Sequence, residues 1–170
     1  MHHKTRNLAH AALIAALYAV LTHLQNFIFP GSASWAIQCR LSEVLCVLAL
    51  FSPAAVSGLT IGCLLFNITF AAALPLDWLL GTAATFSATA AMYALRNVRI
   101  CGYPLLSMLM PSLTNAVLVG WELTVYIGGS FWINGLYVAL GELIVLLIPG
   151  SLVLRMLQKR NLAKHLFRES

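Results

Sequence analysis

Long apolar stretches separated by short breaks run through the chain from Leu8 to Leu154. A helix needs about 20 apolar residues to cross the hydrocarbon core of a bilayer. Six stretches approach that length: Leu8 to Phe29, Ser34 to Phe51, Ala54 to Ala73, Leu76 to Leu95, Tyr103 to Leu123 and Phe131 to Leu154. The breaks hold Pro30-Gly31, Ser52-Pro53, Pro75, Arg96 to Gly102 and Gly128-Gly129, residues that stop one helix or begin the next. The pattern predicts an all-α integral membrane protein. It is a single membrane domain of six transmembrane helices (8–29, 34–51, 54–73, 76–95, 103–123, 131–154), followed by a basic tail over 155–170. The second stretch is the weakest, because it carries Arg40 and Glu43; it is open to being shorter or to starting as a loop in the outer leaflet.

Composition turns that pattern into a statement about solvent. Of the 170 residues 61% are hydrophobic and 9% charged, against roughly 45–50% and about 25% in a soluble domain. So few charges do not cover a water-facing surface, and the exterior must face lipid. The 10 Lys and Arg outnumber the 5 Asp and Glu, but position argues against a nucleic-acid partner. Lys4, Arg6, Arg96, Arg99, Arg155, Lys159, Arg160, Lys164 and Arg168 all lie at the chain ends or in one gap. That is the distribution of cytoplasmic loops, and it predicts a multi-pass plasma-membrane protein with both termini in the cytoplasm. Leu8 to Phe29 is too long for a signal peptide and is followed by further spans, so it reads as a retained first span. Cys39, Cys46, Cys63 and Cys101 show neither metal-ligand nor disulfide-scaffold spacing.

The acids carry the chemical information. Arg40, Glu43, Asp77, Glu122 and Glu142 lie within or at the edges of the spans. An ionisable group there costs at least about 2.5–3.5 kcal/mol, so each needs a partner, a cavity or a task. Glu43, Asn115 and Glu142 fall near mid-membrane, Asn67 in the outer half of its span, and Asp77 and Glu122 at the outer surface. The inner halves are nearly free of polar groups. The arrangement predicts a pocket open to the outside and closed toward the cytoplasm. Arg40 and Glu43, three apart, share a helix face, as do Asn115 and Glu122, seven apart. Asp77, Gly81 and Thr85 follow at four-residue steps. Trp35 and Trp121 suit an interfacial belt, whereas Trp78 and Trp132 are open to either that role or stacking on a planar ligand. Thr124 to Ser130 reads as a lid or as a plain interfacial connection. One Arg against four carboxylates suits a cationic or donor-rich small molecule, whose adjacent N–H groups a carboxylate accepts in bidentate fashion.

Ala11, Ala15 and Ala19 recur at four-residue steps on the first span, with Ala12 and Ala16 on the adjoining row; small residues so placed let helices approach closely in lipid. The chain has no P-loop, H-E-x-x-H or G-x-S-x-G motif, so ATP hydrolysis by that route, zinc-protease chemistry and a serine elbow are not expected. No catalytic or metal-binding residue is assigned. The competing readings are an intramembrane enzyme with Glu43 and Glu142 as a carboxylate pair, and a self-sufficient ion-coupled carrier of a small cationic solute.

Arg40-Leu41-Ser42-Glu43, Ser52-Pro53-Ala54-Ala55 through Gly58-Leu59-Thr60-Ile61-Gly62 to Asn67, Asp77 with Gly81-Thr82-Ala83-Ala84-Thr85, Asn115 and Gly141-Glu142 together resemble the QueT family. Its members are substrate-binding S components of energy-coupling factor (ECF) transporters. The resemblance implies a six-helix S-component fold and uptake of queuosine precursors, deazaguanine bases such as prequeuosine or queuine. It implies energising by a transmembrane T component and two ATPase subunits that use ATP, with no cofactor in this chain. It also implies that Ala11, Ala15 and Ala19, or Ala12 and Ala16 in the alternative register, dock the T component. Several such precursors carry an amine and a guanine-like edge. Glu43 or Glu142 is then expected on that edge, with Arg40 orienting Glu43 and Asn67 and Asn115 completing the polar contacts. Asp77 or Glu122 is expected near the amine, and Trp78 or Trp132 stacking.

Overall fold

The computed structural model describes residues 2–30, 32, 39–70 and 75–159. Helix α1 (His2–Ile28) is followed by a 3₁₀ helix (Leu41–Leu50) and by α2 (Pro53–Thr69). A π turn (Asp77–Gly81) runs into α3 (Thr82–Ala94), and α4 (Leu105–Tyr126) follows. The last rod is α5 (Phe131–Val145), a second π turn (Leu146–Gly150) and α6 (Ser151–Lys159) in succession. Among the described residues the β structure is confined to one isolated bridge, Ile100 with Tyr103. The chain is therefore all-helical. Two of its helical stretches, Lys4–Ile28 and Phe131–Lys159, are long and apolar enough to cross a membrane; Leu41–Leu50 and Pro53–Thr69 are shorter apolar helices.

Local signals explain the boundaries. Ser52 caps α2 by accepting the Ala54 N–H at 3.2 Å, and Pro53 occupies the first turn, where its missing donor costs nothing. Segment 124–130 is only partly a connection, since α4 continues through Tyr126. The remaining turn is pinned by Asn134, whose amide donates to Thr124 Oγ1 (3.0 Å) and to the Gly128 carbonyl (3.1 Å).

The exterior is apolar on every helix: Leu13 and Val20 of α1, Ile61 and Leu65 of α2, Phe86 of α3, Leu113 and Val117 of α4, Ile133 and Leu136 of α5, Leu152 and Met156 of α6 are all exposed. An apolar surface spread over all the rods is a surface made for lipid. Inside, one cluster packs Ile14, Leu50, Leu59, Met92, Met108, Leu146, Leu154 and Leu157 together with Tyr18 and Cys46, so the apolar core runs up to Glu43, which those last two residues hold.

Glycines let α1 and α2 approach closely, as Gly120 and Gly135 do for α4 and α5. A Cβ on Gly58 would lie 2.7 Å from the Ala11 carbonyl oxygen, and one on Gly62 would lie 2.7 Å from Tyr18 Cβ and 2.8 Å from the Ala15 carbonyl oxygen. Ala11 and Ala15 are accordingly buried, Ala19 is half-buried, and Ala12 and Ala16 are exposed. The Ala11-Ala15 row thus packs against α2 within this chain. The adjoining row is the one left free.

Candidate functional site

The site begins with helix geometry. A 3₁₀ helix has three residues per turn and eclipses side chains at i and i+3, so Glu43 and Cys46 stand in one row, with Arg40 at the N-terminal boundary of the same row. Opposite them α1 presents a polar stripe of Tyr18, Thr22 and Gln25, all buried. The two rows lock together. Tyr18 Oη donates to Glu43 Oε1 in a short hydrogen bond, and Cys46 Sγ donates to Glu43 Oε2 at 2.9 Å. Thr22 Oγ1 donates to Ser42 Oγ at 2.7 Å and also lies 2.7 Å from the Tyr18 carbonyl. Both oxygens of Glu43 are thereby held by this chain's own donors.

Glu142 is held differently. Asn115 Nδ2 of α4 donates to its Oε1 at 2.8 Å, while its Oε2 is buried without a hydrogen-bond partner among the described residues. The residue is 2% exposed. Glu122, at 3% exposure, shows the same condition at Oε1, with the carboxyl of Asp77 as its neighbour. Leaving a buried polar oxygen unmet is costly, so these two oxygens mark places where a polar partner belongs. The Arg40 guanidinium lies within electrostatic reach of Glu43 and Glu142 and of Glu122, and its carbon stands 5.8 Å from the Phe66 ring centroid. One cation therefore faces acids from three elements.

The outer end of α3 is shaped by Asn67. Its Nδ2 donates to the Asp77 carbonyl at 2.7 Å and reaches Cys63 Sγ at 3.6 Å. A π turn leaves a backbone carbonyl without its usual partner, and Asn67 supplies one. Gly81 is required beside it, since a Cβ there would lie 2.9 Å from Asn67 Nδ2. The donor group of Asn67 thus serves the fold of the turn that carries Asp77. The start of the same helix is tied to α4 by the Leu76 N–H donating to Tyr126 Oη at 3.1 Å.

The tryptophans are not among the acids. Trp78 is 42% and Trp132 79% exposed, and Trp132 packs edge-on against Phe131. Both stand on the outside of the bundle, where an indole suits the membrane interface. Trp121 is exposed as well, and Trp35 lies outside the described residues. The ring beside the polar interior is Phe66, which meets His23 edge-on at 4.9 Å and stacks with Phe70 at 5.2 Å. Tyr18, Gln25, Cys46 and Phe66 are not among the site residues expected from the sequence. Their signal was available: Tyr18, Thr22 and Gln25 lie on one helical stripe, and Cys46 continues the three-residue step from Arg40 and Glu43.

Buried acids on several helices and a lipid-facing exterior are what a membrane protein needs to take up a polar solute. The family model described as QueT transporter matches residues 8–159. The chain belongs to the QueT transporter family. No curated protein and no solved structure gives a match. Membership in QueT makes it a transmembrane transport protein. The QueT match covers the helices that supply every acid above, so the family is defined over the same segment that builds the site.

Proposed function

We propose that this chain is the membrane-embedded substrate-binding subunit for uptake of a queuosine precursor, a deazaguanine base such as prequeuosine or queuine, with energy supplied by a separate ECF module. The observation that carries the reading is the pair of buried carboxyl oxygens, Glu142 Oε2 and Glu122 Oε1, that meet no hydrogen-bond partner among the described residues. A deazaguanine with an amine brings both things they need: adjacent N–H groups for Glu142, and a cation for the Glu122 and Asp77 pair. Glu142, oriented by Asn115, is the better reader of that edge than Glu43, because Tyr18 and Cys46 already occupy Glu43. Glu43 then serves as fixed counter-charge to Arg40, and Asn115 completes the contacts. Six helical rods span the membrane, with both termini in the cytoplasm under the positive-inside rule. ATP is used by two partner ATPase subunits joined through a T component, and no nucleic acid or catalytic step is involved.

Calorimetry on the purified chain with prequeuosine, queuine and guanine tests the binding half, and co-purification with T component and ATPases tests the other. Saturable heat with a deazaguanine supports the reading. No heat with any of the three bases, or turnover of a solute by the solitary chain, overturns it.

A further inference from the structure

Gln25 is buried on the stripe of α1, one turn beyond Thr22. Its amide nitrogen donates to the Cys39 carbonyl at 2.6 Å and to Ser32 Oγ at 3.0 Å, and its amide oxygen accepts the Leu41 N–H at 2.7 Å. Only one orientation of the amide satisfies both backbone groups, because the carbonyl requires a donor and the N–H an acceptor. Arg40 between them is extended, with φ −77 and ψ 108. In extended backbone the carbonyl before a residue and the N–H after it point to the same side, so Gln25 pairs with the chain around Arg40 as a neighbouring strand would. The Arg40 carbonyl in turn accepts the Glu43 N–H at 3.0 Å. A buried amide in lipid is tolerated when its groups are met. Here the contacts bracket the only Lys or Arg between Arg6 and Arg96.

We propose that Gln25 is a positioning residue: it fixes the backbone on both sides of Arg40, holds the guanidinium over the Phe66 ring beside the buried acids, and so sets solute affinity without touching the solute. The inference rests on the reading of the buried acids as a binding site, and its test separates the two. The full chain in lipid nanodiscs is compared with Gln25→Leu, which removes all three bonds, and Gln25→Glu, which keeps an acceptor for Leu41 and replaces the donor facing the Cys39 carbonyl. Amide exchange at Leu41 without solute reports the clamp, because Leu41 is half exposed and its N–H is shielded by Gln25. Calorimetry with prequeuosine reports the site.

Exchange at Leu41 is expected to accelerate about tenfold or more in Gln25→Leu, and affinity to fall about tenfold in both variants. In an Arg40→Ala background Gln25→Leu changes affinity no further, a non-additivity that general loosening of the bundle does not produce. Unchanged Leu41 exchange overturns the clamp whatever the solute does. Faster exchange with full affinity, or additive losses with Arg40→Ala, overturns the positioning role. Failure of the unaltered chain to bind prequeuosine overturns the reading of the site instead, and Leu41 exchange then still decides whether Gln25 holds the backbone.

Discussion

Glu43 and Glu142 are both buried carboxylates, yet their surroundings give them different tasks. Glu43 has a donor on each oxygen, so removing one leaves an acceptor stranded in the bundle. Tyr18→Phe deletes the hydroxyl and keeps the ring, and it is expected to lower stability by about 1–3 kcal/mol, or more because the acceptor is an acid. Reversible denaturation in mixed micelles measures it. Glu142 has Asn115 on one oxygen and, among the described residues, no partner on the other, so Glu142→Gln exchanges the carboxyl for an amide with little change in shape. Under the proposed function that substitution weakens prequeuosine binding by about 1.5–3 kcal/mol, the value of one charge-assisted contact, while Trp132→Ala, on the exposed exterior, leaves binding unchanged. Equal titration curves for Glu142→Gln and the unaltered chain would remove Glu142 from the site.

At the scale of elements, the 3₁₀ helix does what an α-helix of the same sequence cannot. It advances about 2.0 Å per residue, so ten residues cover about 20 Å of depth where an α-helix covers about 15 Å. It also sets Glu43 and Cys46 in one row facing Tyr18. The α1–α2 pair is its counterpart in rigidity. Gly62→Val forces side-chain atoms into the backbone of α1 and is expected to cost about 1–3 kcal/mol of stability by overpacking, with loss of the Tyr18 to Glu43 bond; denaturation of the variant beside Tyr18→Phe measures both, and losses that add in the double variant would separate the two effects. The helical class was legible, because apolar runs this long have few other uses; Pro and Gly marked breaks but also stand inside helices, as Pro111 does in α4 and Gly58 and Gly62 do in α2. The number of residues per turn was not legible. Nothing in Leu41–Leu50 distinguishes three residues per turn from 3.6, and the π turn at Asp77 exists through Asn67, ten residues away. The acids were legible as costly residues in a lipid-facing chain. Which oxygens stay unmet depends on Tyr18 and Asn115, donors brought in from other helices.

For the whole molecule, the exterior decides how the bundle meets other proteins. Small residues on α1 form two adjoining rows, and local pattern does not choose between them; the glycines of α2 do, by closing on Ala11 and Ala15. What remains accessible on that helix is the row of Ala12 and Ala16, flanked by the exposed Leu13, Leu17 and Val20. A flat apolar strip of this kind lets a second membrane protein approach closely without disturbing the interior. The Ala12→Leu, Ala16→Leu pair is therefore expected to leave melting temperature and prequeuosine affinity unchanged in the solitary chain, and to prevent co-purification with a T component and its ATPases. Ala15→Leu is expected to act the other way round, lowering the melting temperature first, because its added atoms meet α2. Measuring stability, solute heat and complex yield on the same three proteins separates the rows. Full assembly by the Ala12, Ala16 variant would show that the partner docks elsewhere on the bundle, and an undisturbed Ala15→Leu would show that the α1–α2 approach is looser than its glycines require.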